Sequence, residues 1–341
     1  MKLENLLRHD KSGFLQMLES TPEMYRQCLE KAEGIEAPEA ERILVSGMGG
    51  SAIPGQIICE IIDDPRMAFN RSFKLPSWAG DDVLVICVSY SGNTWETLNV
   101  FNEALKRRCH LYCISSNGKM LEKCREKGIP FFKVPENLLP RASLPWLLTP
   151  IASLTEKSLN VNGLLRDIRE TVPELERIVD EYSPENGGGE AFKIAEKMRG
   201  RLPVVYAYKP YTSTAYRFKT QVNENAKYPC HVCEIPESIH NEICTLYSDA
   251  KLDTIILAVR DPMMEAYEKL MDIMLNVMEE FNPGIELVNI IVHGSSRLGK
   301  ALSTILRLDY VSFYLALLLG RDPGETAQIK RAKEKLAEKF R

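Results

Sequence analysis

The most constraining feature of the chain is a repeated change of hydrophobic period. Short apolar runs rich in branched residues end at glycine- or serine-rich turns, and each turn opens a stretch with helical spacing. Arg42–Ser46 (RILVS) runs into GMGGSAIPG, and Gln56–Ile62 then reads as a helix. Asp82–Ser89 (DVLVICVS) ends at YSGNTWET, and a helix is predicted over Trp95–Lys106. His110–Ser115 (HLYCIS) leads through SNGK to a helix near Met120–Lys127, and Pro130–Val134 reads as a weaker fourth strand. Strands without polar alternation are buried on both faces, and strands alternating with helices pair in parallel. Both facts point to an α/β fold with helices flanking a mainly parallel sheet.

The rhythm recurs. Residues 1–40 read as helices, broken at Ser20-Thr21-Pro22. Leu164–Tyr182 reads as a long helix, and Glu185–Gly189 (ENGGG) is the best linker signal. After it come a helix over Glu190–Arg199 and strands over Pro203–Ala207, Thr254–Val259 and Glu286–Val292. Helices are expected over Glu265–Phe281, Ser303–Leu319 (very apolar) and Ala327–Phe340 (charged). The expected organisation is one α/β domain over 1–155, a helical linker over 156–189 and a second α/β domain over 190–341. The idea of a tandem repeat rests on rhythm alone.

Charge narrows the ligand class. Among 341 residues, 43 Lys+Arg against 47 Asp+Glu leave a net charge of −4. That provides no bulk attraction for nucleic acid or an anionic membrane, so any phosphate must be held locally. Nine cysteines are scattered, with Cys87 inside an apolar run, which suits a reducing cytosol better than a disulfide framework. The start MKLENLLRHDKSGF lacks the apolar core of a signal peptide. The longest apolar runs, such as Ile255–Val259, fall short of the ~20 residues that span a bilayer. A cytoplasmic protein is expected.

Two segments have the chemistry of a phosphate cradle. Ser46-Gly47-Met48-Gly49-Gly50-Ser51 follows a strand and precedes a helix. Glycines allow close backbone approach, and a helix N-terminus offers unpaired N–H groups and a positive dipole end. The loop lacks the Lys of a Walker A motif. As a dinucleotide fingerprint it has Ala52 in the third glycine place, and its acidic partner would be Asp63 or Asp64, neither of which ends a strand. Ser89-Tyr90-Ser91-Gly92-Asn93-Thr94 occupies a second strand-to-helix junction and supplies neutral hydroxyl donors. Either segment read alone also suits a simple turn and helix cap. Together they favour phosphate over a dinucleotide. A competing arrangement is Cys230-x2-Cys233-x6-His240-x3-Cys244, which has the ligand types of a zinc site on an uneven spacing.

A strand followed by SGMGGS, then a strand followed by SYSGNTWET, resembles the sugar isomerase (SIS) fold family. More narrowly, the chain resembles the bifunctional phosphoglucose/phosphomannose isomerases. LPRASLP at 139–145, NENAK at 223–227, EIPESIHNE at 234–242 and the C-terminal helix follow in the same order. SGMGGS and SxSGNT indicate only the superfamily, whereas NENAK followed by E-x-P-E-x-x-H-N is far more specific.

The resemblance implies two tandem SIS-type three-layer αβα domains with mainly parallel sheets, and an aldose–ketose isomerase of hexose phosphates with no cofactor and no metal. It implies that Ser51, Ser89, Ser91 and Thr94, with the backbone of Gly49 and Gly50, hold the phosphate. It makes Glu224 the base that moves a proton between C2 and C1, and Arg141 the cation that stabilises the enediolate. His240 would assist ring opening from the neighbouring subunit of a homodimer. Lys333 would also act in ring opening, with Lys330 and Lys335 as neighbouring registers, and Thr326 would let C2 rotate so that both epimers react. A non-catalytic phosphosugar sensor would keep Ser51, Ser89 and Thr94 and lack the base. A glutamine-dependent glucosamine synthase relative would need an amidotransferase domain with a leading cysteine, which the start MKLEN does not supply.

Overall fold

The structure, a computed structural model, describes residues 3–247 and 253–339. In chain order it contains α1 (Phe14–Glu19), α2 (Thr21–Glu33), β1 (Arg42–Gly47), α3 (Ile53–Ile62), β2 (Met67–Asn70), β3 (Val83–Val88), α4 (Trp95–Lys106), β4 (His110–Ser115), α5 (Lys119–Lys127) and β5 (Phe131–Lys133). Then follow α6 (Leu144–Leu159), α7 (Leu164–Tyr182), α8 (Gly189–Met198), β6 (Leu202–Ala207), α9 (Thr212–Gln221), β7 (His231–Glu234), β8 (Thr254–Arg260), α10 (Glu265–Phe281), β9 (Glu286–Ile291), α11 (Arg297–Leu318) and α12 (Ala327–Lys339).

The strands form two sheets, ordered β2-β1-β3-β4-β5 and β7-β6-β8-β9. Every described pair is parallel, and flanking helices complete the α/β three-layer architecture expected from the sequence. β3 is buried at all six positions, which is why its sequence shows no polar alternation. The strand order reverses direction between β1 and β3 in one sheet and between β6 and β8 in the other.

The chain groups into two compact units. One holds Ser20–Val172 and the residues from Thr326 onward; the other holds the residues up to Glu19 and Pro173–Glu325. Each sheet lies inside one of the contiguous domains expected from the sequence, but the terminal helices are exchanged relative to that linear division. The exchange has a packing cause at the N-terminus. Phe14 of α1 stacks on Phe313 of α11 with centroids 6.4 Å apart, and the Ser12 hydroxyl donates to Asp322 Oδ1 at 2.6 Å. In the other unit α2 is bound to α6, where the Ser153 hydroxyl donates to the Ala32 carbonyl at 2.8 Å.

The ENGGG segment joins α7 to α8 through Gly187, Gly188 and Gly189, with φ of +77°, +75° and +55°. Three successive left-handed residues are strained for any side chain, so the glycines are required by the turn itself. α11 is 22 residues long, and by length and composition alone it would cross a membrane, but 89% of its apolar window is buried inside the protein. It is the central helix of its unit.

Several elements escaped the sequence reading. β2 and β7 are four-residue edge strands, too short to establish a period. α6 carries Pro145 in its first turn and Pro150 inside, and is buried over nearly its whole length, so it shows neither polar face nor helix-like composition. α11 starts at Arg297, six residues before the expected Ser303, because Ser296 caps it by accepting from Gly299 N–H at 3.0 Å.

Candidate active site

In an open parallel sheet, ligands bind beyond the carboxyl ends of the strands where the strand order reverses. In the first sheet that point lies between β1 and β3. β1 ends at Gly47, where a Cβ would stand 2.7 Å from the Ser51 carbonyl oxygen and 2.9 Å from that of Val88. Glycine lets the chain fold back there into a 3-10 turn, Gly49–Ser51, that leads into α3. The Ser51 hydroxyl accepts from Tyr90 N–H at 3.2 Å and so ties this loop to the one after β3.

That second loop is held by its own hydroxyls. Ser89 Oγ and Thr94 Oγ1 are hydrogen-bonded at 2.9 Å. Thr94 occupies the N-cap position of α4, yet its side chain makes no capping bond, so capping does not explain it. Asn93 N–H donates to Ser91 Oγ at 3.3 Å. The turn packs closely on its neighbour: a Cβ on Gly92 would sit 1.7 Å from the Asn117 carbonyl oxygen, and one on Gly118 would sit 2.4 Å from that of Ser91. A third segment, the 3-10 turn Pro140–Ala142, lies against the first loop, with Arg141 Cα 3.7 Å from the Cβ position of Gly50. Arg141 is 4% exposed. The structure therefore brings Gly49, Gly50, Ser51, Ser89, Ser91, Thr94 and Arg141 together at one switch point. Hydroxyls, backbone N–H groups and two helix N-termini surround it, a chemistry suited to a phosphate.

Glu224 and His240 belong to the other unit. α9 does not end regularly but passes into a π-helical turn over Val222–Ala226, closed by Lys227 at φ +54°. A π turn is rare and recurs at functional sites, because it re-aims one residue at a cost in backbone geometry. Here its anchors are visible. Asn225 is fully buried, and its Nδ2 donates to Ser312 Oγ of α11 at 2.9 Å. The Ser312 hydroxyl donates in turn to the Asp309 carbonyl at 2.7 Å, and the Asp309 carboxylate pairs with Arg217 of α9 at 2.5 Å. Asn223 Nδ2 donates to the Tyr228 carbonyl at 2.8 Å. Glu224 stands half-buried between these two fixed asparagines. His240 ends a 3-10 segment, Glu237–His240, and is exposed. Thr326 is half-buried at the start of α12, where its carbonyl accepts from Lys330 N–H at 3.1 Å. Lys333 is exposed along α12, as are Lys330 and Lys335.

Residues 188–336 match the family described as the bacterial phospho-glucose isomerase C-terminal SIS domain. A bifunctional phosphoglucose/phosphomannose isomerase of Aquifex aeolicus is 34% identical over 303 residues, which cover 86% of this chain and 90% of that one. The chain belongs to the bifunctional phosphoglucose/phosphomannose isomerase family. The family member from Caldicellulosiruptor bescii is 31% identical over 330 residues, covering 93% of this chain and 97% of that one. A D-glucosamine-6-phosphate 4-epimerase of Sulfolobus acidocaldarius is 34% identical over 211 residues, 61% of this chain and 65% of that one. Among solved structures, a glucose-6-phosphate isomerase like protein from Thermus thermophilus shares the fold with a TM-score of 0.63 at 17% identity, covering 98% of this chain and 99% of that one. Nothing in this kinship supports a non-catalytic sensor.

The rival site readings fare differently within this isomerase family member. The dinucleotide reading needs a carboxylate at the end of the second strand. β2 ends instead at Asn70, whose Nδ2 donates to Ser46 Oγ at 3.3 Å. Asp63 closes α3, and Asp64 is engaged by Arg66 at 2.6 Å. The four zinc-ligand candidates are not gathered. Cys230 and Cys233 are buried, and burial pushes both thiols up to about 12, while His240 and Cys244 are exposed. Among the described residues, no three His, Cys, Asp or Glu side chains are grouped to hold a metal. Sequence reasoning missed the support beneath Glu224. Its trace was Asp309 and Ser312 among the apolar residues of the helix over 297–318.

Proposed function

We propose that the chain interconverts glucose 6-phosphate and mannose 6-phosphate with fructose 6-phosphate, as a cytoplasmic homodimer. The observation that carries this reading is Glu224, half-buried on a π-helical turn whose flanking asparagines are both anchored. The phosphate is held by Ser51, Ser89, Ser91, Thr94 and the Gly49–Gly50 backbone. Neutral hydroxyl and N–H donors and helix dipoles make the direct contacts to the dianion, so it is also released.

His240, donated by the second subunit, and Lys333 move the protons that open the sugar ring. The exposure of both side chains in the isolated chain suits that assignment. On the open chain, the Glu224 carboxylate takes the proton from C2. The electrons of that C–H bond form the C1–C2 double bond, and charge develops on the oxygen at C1. The buried guanidinium of Arg141 stabilises that charge; preorganised charge at a reacting oxygen is a large catalytic contribution. The proton of the C2 hydroxyl passes to the C1 oxygen, Glu224 returns its own proton to C1 with the electrons of the C1–C2 double bond, and the electrons on the C2 oxygen close the C2=O bond. Thr326 leaves room for rotation about the C2–C3 bond, so both C2 epimers are processed.

The test is a coupled assay started with fructose 6-phosphate that scores glucose and mannose 6-phosphates separately. Glu224→Gln keeps shape and hydrogen bonding but removes the base. It is expected to lose at least about 10²-fold in kcat, with inorganic phosphate still competing in the residual assay. Wild-type turnover by this variant refutes the assignment.

A further inference from the structure

The two sheets are wound alike. The orders β2-β1-β3-β4 and β7-β6-β8-β9 place one switch point between β1 and β3 and an equivalent one between β6 and β8. The first is lined by glycines and small hydroxyl residues. The second is filled. The loop after β6 brings in Tyr208 and Tyr211, both fully buried, and the loop after β8 brings in Asp261, 2% exposed.

The surroundings of Asp261 have the form of an anion site with the anion in place. Lys300, in the first turn of α11, reaches both carboxylate oxygens at 2.8 and 3.0 Å. The Tyr211 hydroxyl donates to Oδ2 at 2.6 Å, and Met263 N–H donates to Oδ1 at 3.1 Å. Tyr208 closes the wall: its hydroxyl accepts from Asp261 N–H at 2.6 Å and donates to Glu268. Burial pushes the Asp261 carboxyl up, but Lys300, Tyr211 and the Met263 N–H outweigh it and hold the group below the ordinary carboxylate value. One ammonium, one phenol and one backbone N–H converging on two oxygens at a parallel-sheet switch point are the groups that would hold a phosphate or carboxylate ligand there.

We propose that the β6/β8 switch point is a closed counterpart of the phosphate cradle: the Asp261 carboxylate stands where a ligand oxyanion would, over a latent oxyanion site built from Lys300, Tyr211 and Met263 N–H. Each chain consequently holds one phosphorylated ligand, and the second unit is held together by an anion of its own. The comparison with the first unit rests on the phosphate reading of the Ser51 and Ser89 loops. The latent site itself does not, since its contacts lie within one unit.

Asp261→Ala empties the carboxylate position and leaves its partners. In phosphate-free buffer its Tm should fall by several degrees, and inorganic phosphate should restore more than half of the loss with a saturable dependence. Chloride at matched ionic strength should not, and neither should phosphate in the Asp261→Ala/Lys300→Met pair. If the single variant does not fold in chloride, the same comparison is made by refolding from urea into phosphate or chloride. Calorimetry on the wild-type chain should find no more than one inorganic phosphate per chain. A Tm or refolding yield of Asp261→Ala indifferent to phosphate overturns the proposal, and so do two phosphates per wild-type chain. Failure of the phosphate reading of the Ser51 and Ser89 loops would instead abolish wild-type phosphate binding and leave the rescue of Asp261→Ala intact.

Discussion

Gly92→Ala tests whether the Ser89–Thr94 loop is shaped by packing or only by local turn preference. Gly92 has φ +64°, and an alanine there carries about 1–2 kcal/mol of left-handed strain. Its Cβ would also lie 1.7 Å from the Asn117 carbonyl oxygen, so the two segments must part by 3.0 − 1.7 = 1.3 Å to reach even the shortest real contact. That movement strains the bonds that tie the loop to β4 and α5: Met120 N–H to the Gly92 carbonyl at 3.0 Å and Ser116 Oγ to the Tyr90 carbonyl at 2.6 Å. With about 1 kcal/mol for each bond, the total is about 3–4 kcal/mol. At roughly 2–4 °C per kcal/mol for a domain of this size, Tm falls by about 5–15 °C. Displacing the Ser89 and Thr94 hydroxyls by about 1 Å should raise KM for fructose 6-phosphate at least about tenfold. Gly128→Ala is the matched control. It has φ +65°, lies in the same unit and has nothing within 4 Å of its Cβ position. It should show only the strain, about 1–2 kcal/mol, and an unchanged KM. Thermal denaturation and steady-state kinetics on both variants decide the matter. If the two behave alike in both measurements, the packing argument is wrong.

Three further outcomes follow from the environment of Glu224 and of the thiols. Ser312→Ala removes the hydroxyl that accepts from the buried Asn225 amide; it should cost about 1–3 kcal/mol in urea denaturation and lower kcat more than it changes KM. Arg217→Met removes the guanidinium from the buried Asp309 carboxylate and should cost about 3–5 kcal/mol, while the Arg217→Met/Asp309→Leu pair should recover most of that loss. Burial pushes the Cys28, Cys59, Cys230 and Cys233 thiols up to about 12, whereas Cys244 is exposed. A thiol reagent at pH 8 should therefore modify Cys244 first in the native protein, and a Cys244→Ser variant should lose that fast phase.

What the sequence made legible was local. β1, β3 and β4 announced themselves as continuous branched runs, and both candidate phosphate loops were marked by glycines and hydroxyls at strand ends. The helices at Trp95–Lys106, Leu164–Tyr182 and Glu265–Phe281 begin and end where periodicity placed them. What it hid was set by tertiary context. α6 is helical although Pro150 lies inside it, Pro145 falling in the first turn where proline is tolerated, and nearly all of it is buried. The π turn at Glu224 depends on Ser312, some 87 residues away. No window of sequence contains both partners, so only the motif, and not the physics that positions it, was readable.

The tandem arrangement shows the same divide between local and distant causes. Rhythm alone suggested two related domains, and the sheets do share one winding. Their switch points are nevertheless opposites. A phosphate site needs backbone N–H groups left free and room above them, which glycine and serine leave and tyrosine takes away. In the first sheet Gly49 has nothing within 4 Å of its Cβ position; in the second Tyr208 and Tyr211 are fully buried, and Asp261 pairs with Lys300. A fold repeated twice does not therefore imply a site repeated twice. On the proposed reading, the chemistry of the second unit lies elsewhere, at the π turn after α9. There the buried Arg217–Asp309 pair and the Asn225–Ser312 bond fix the backbone on either side of a single half-exposed carboxylate.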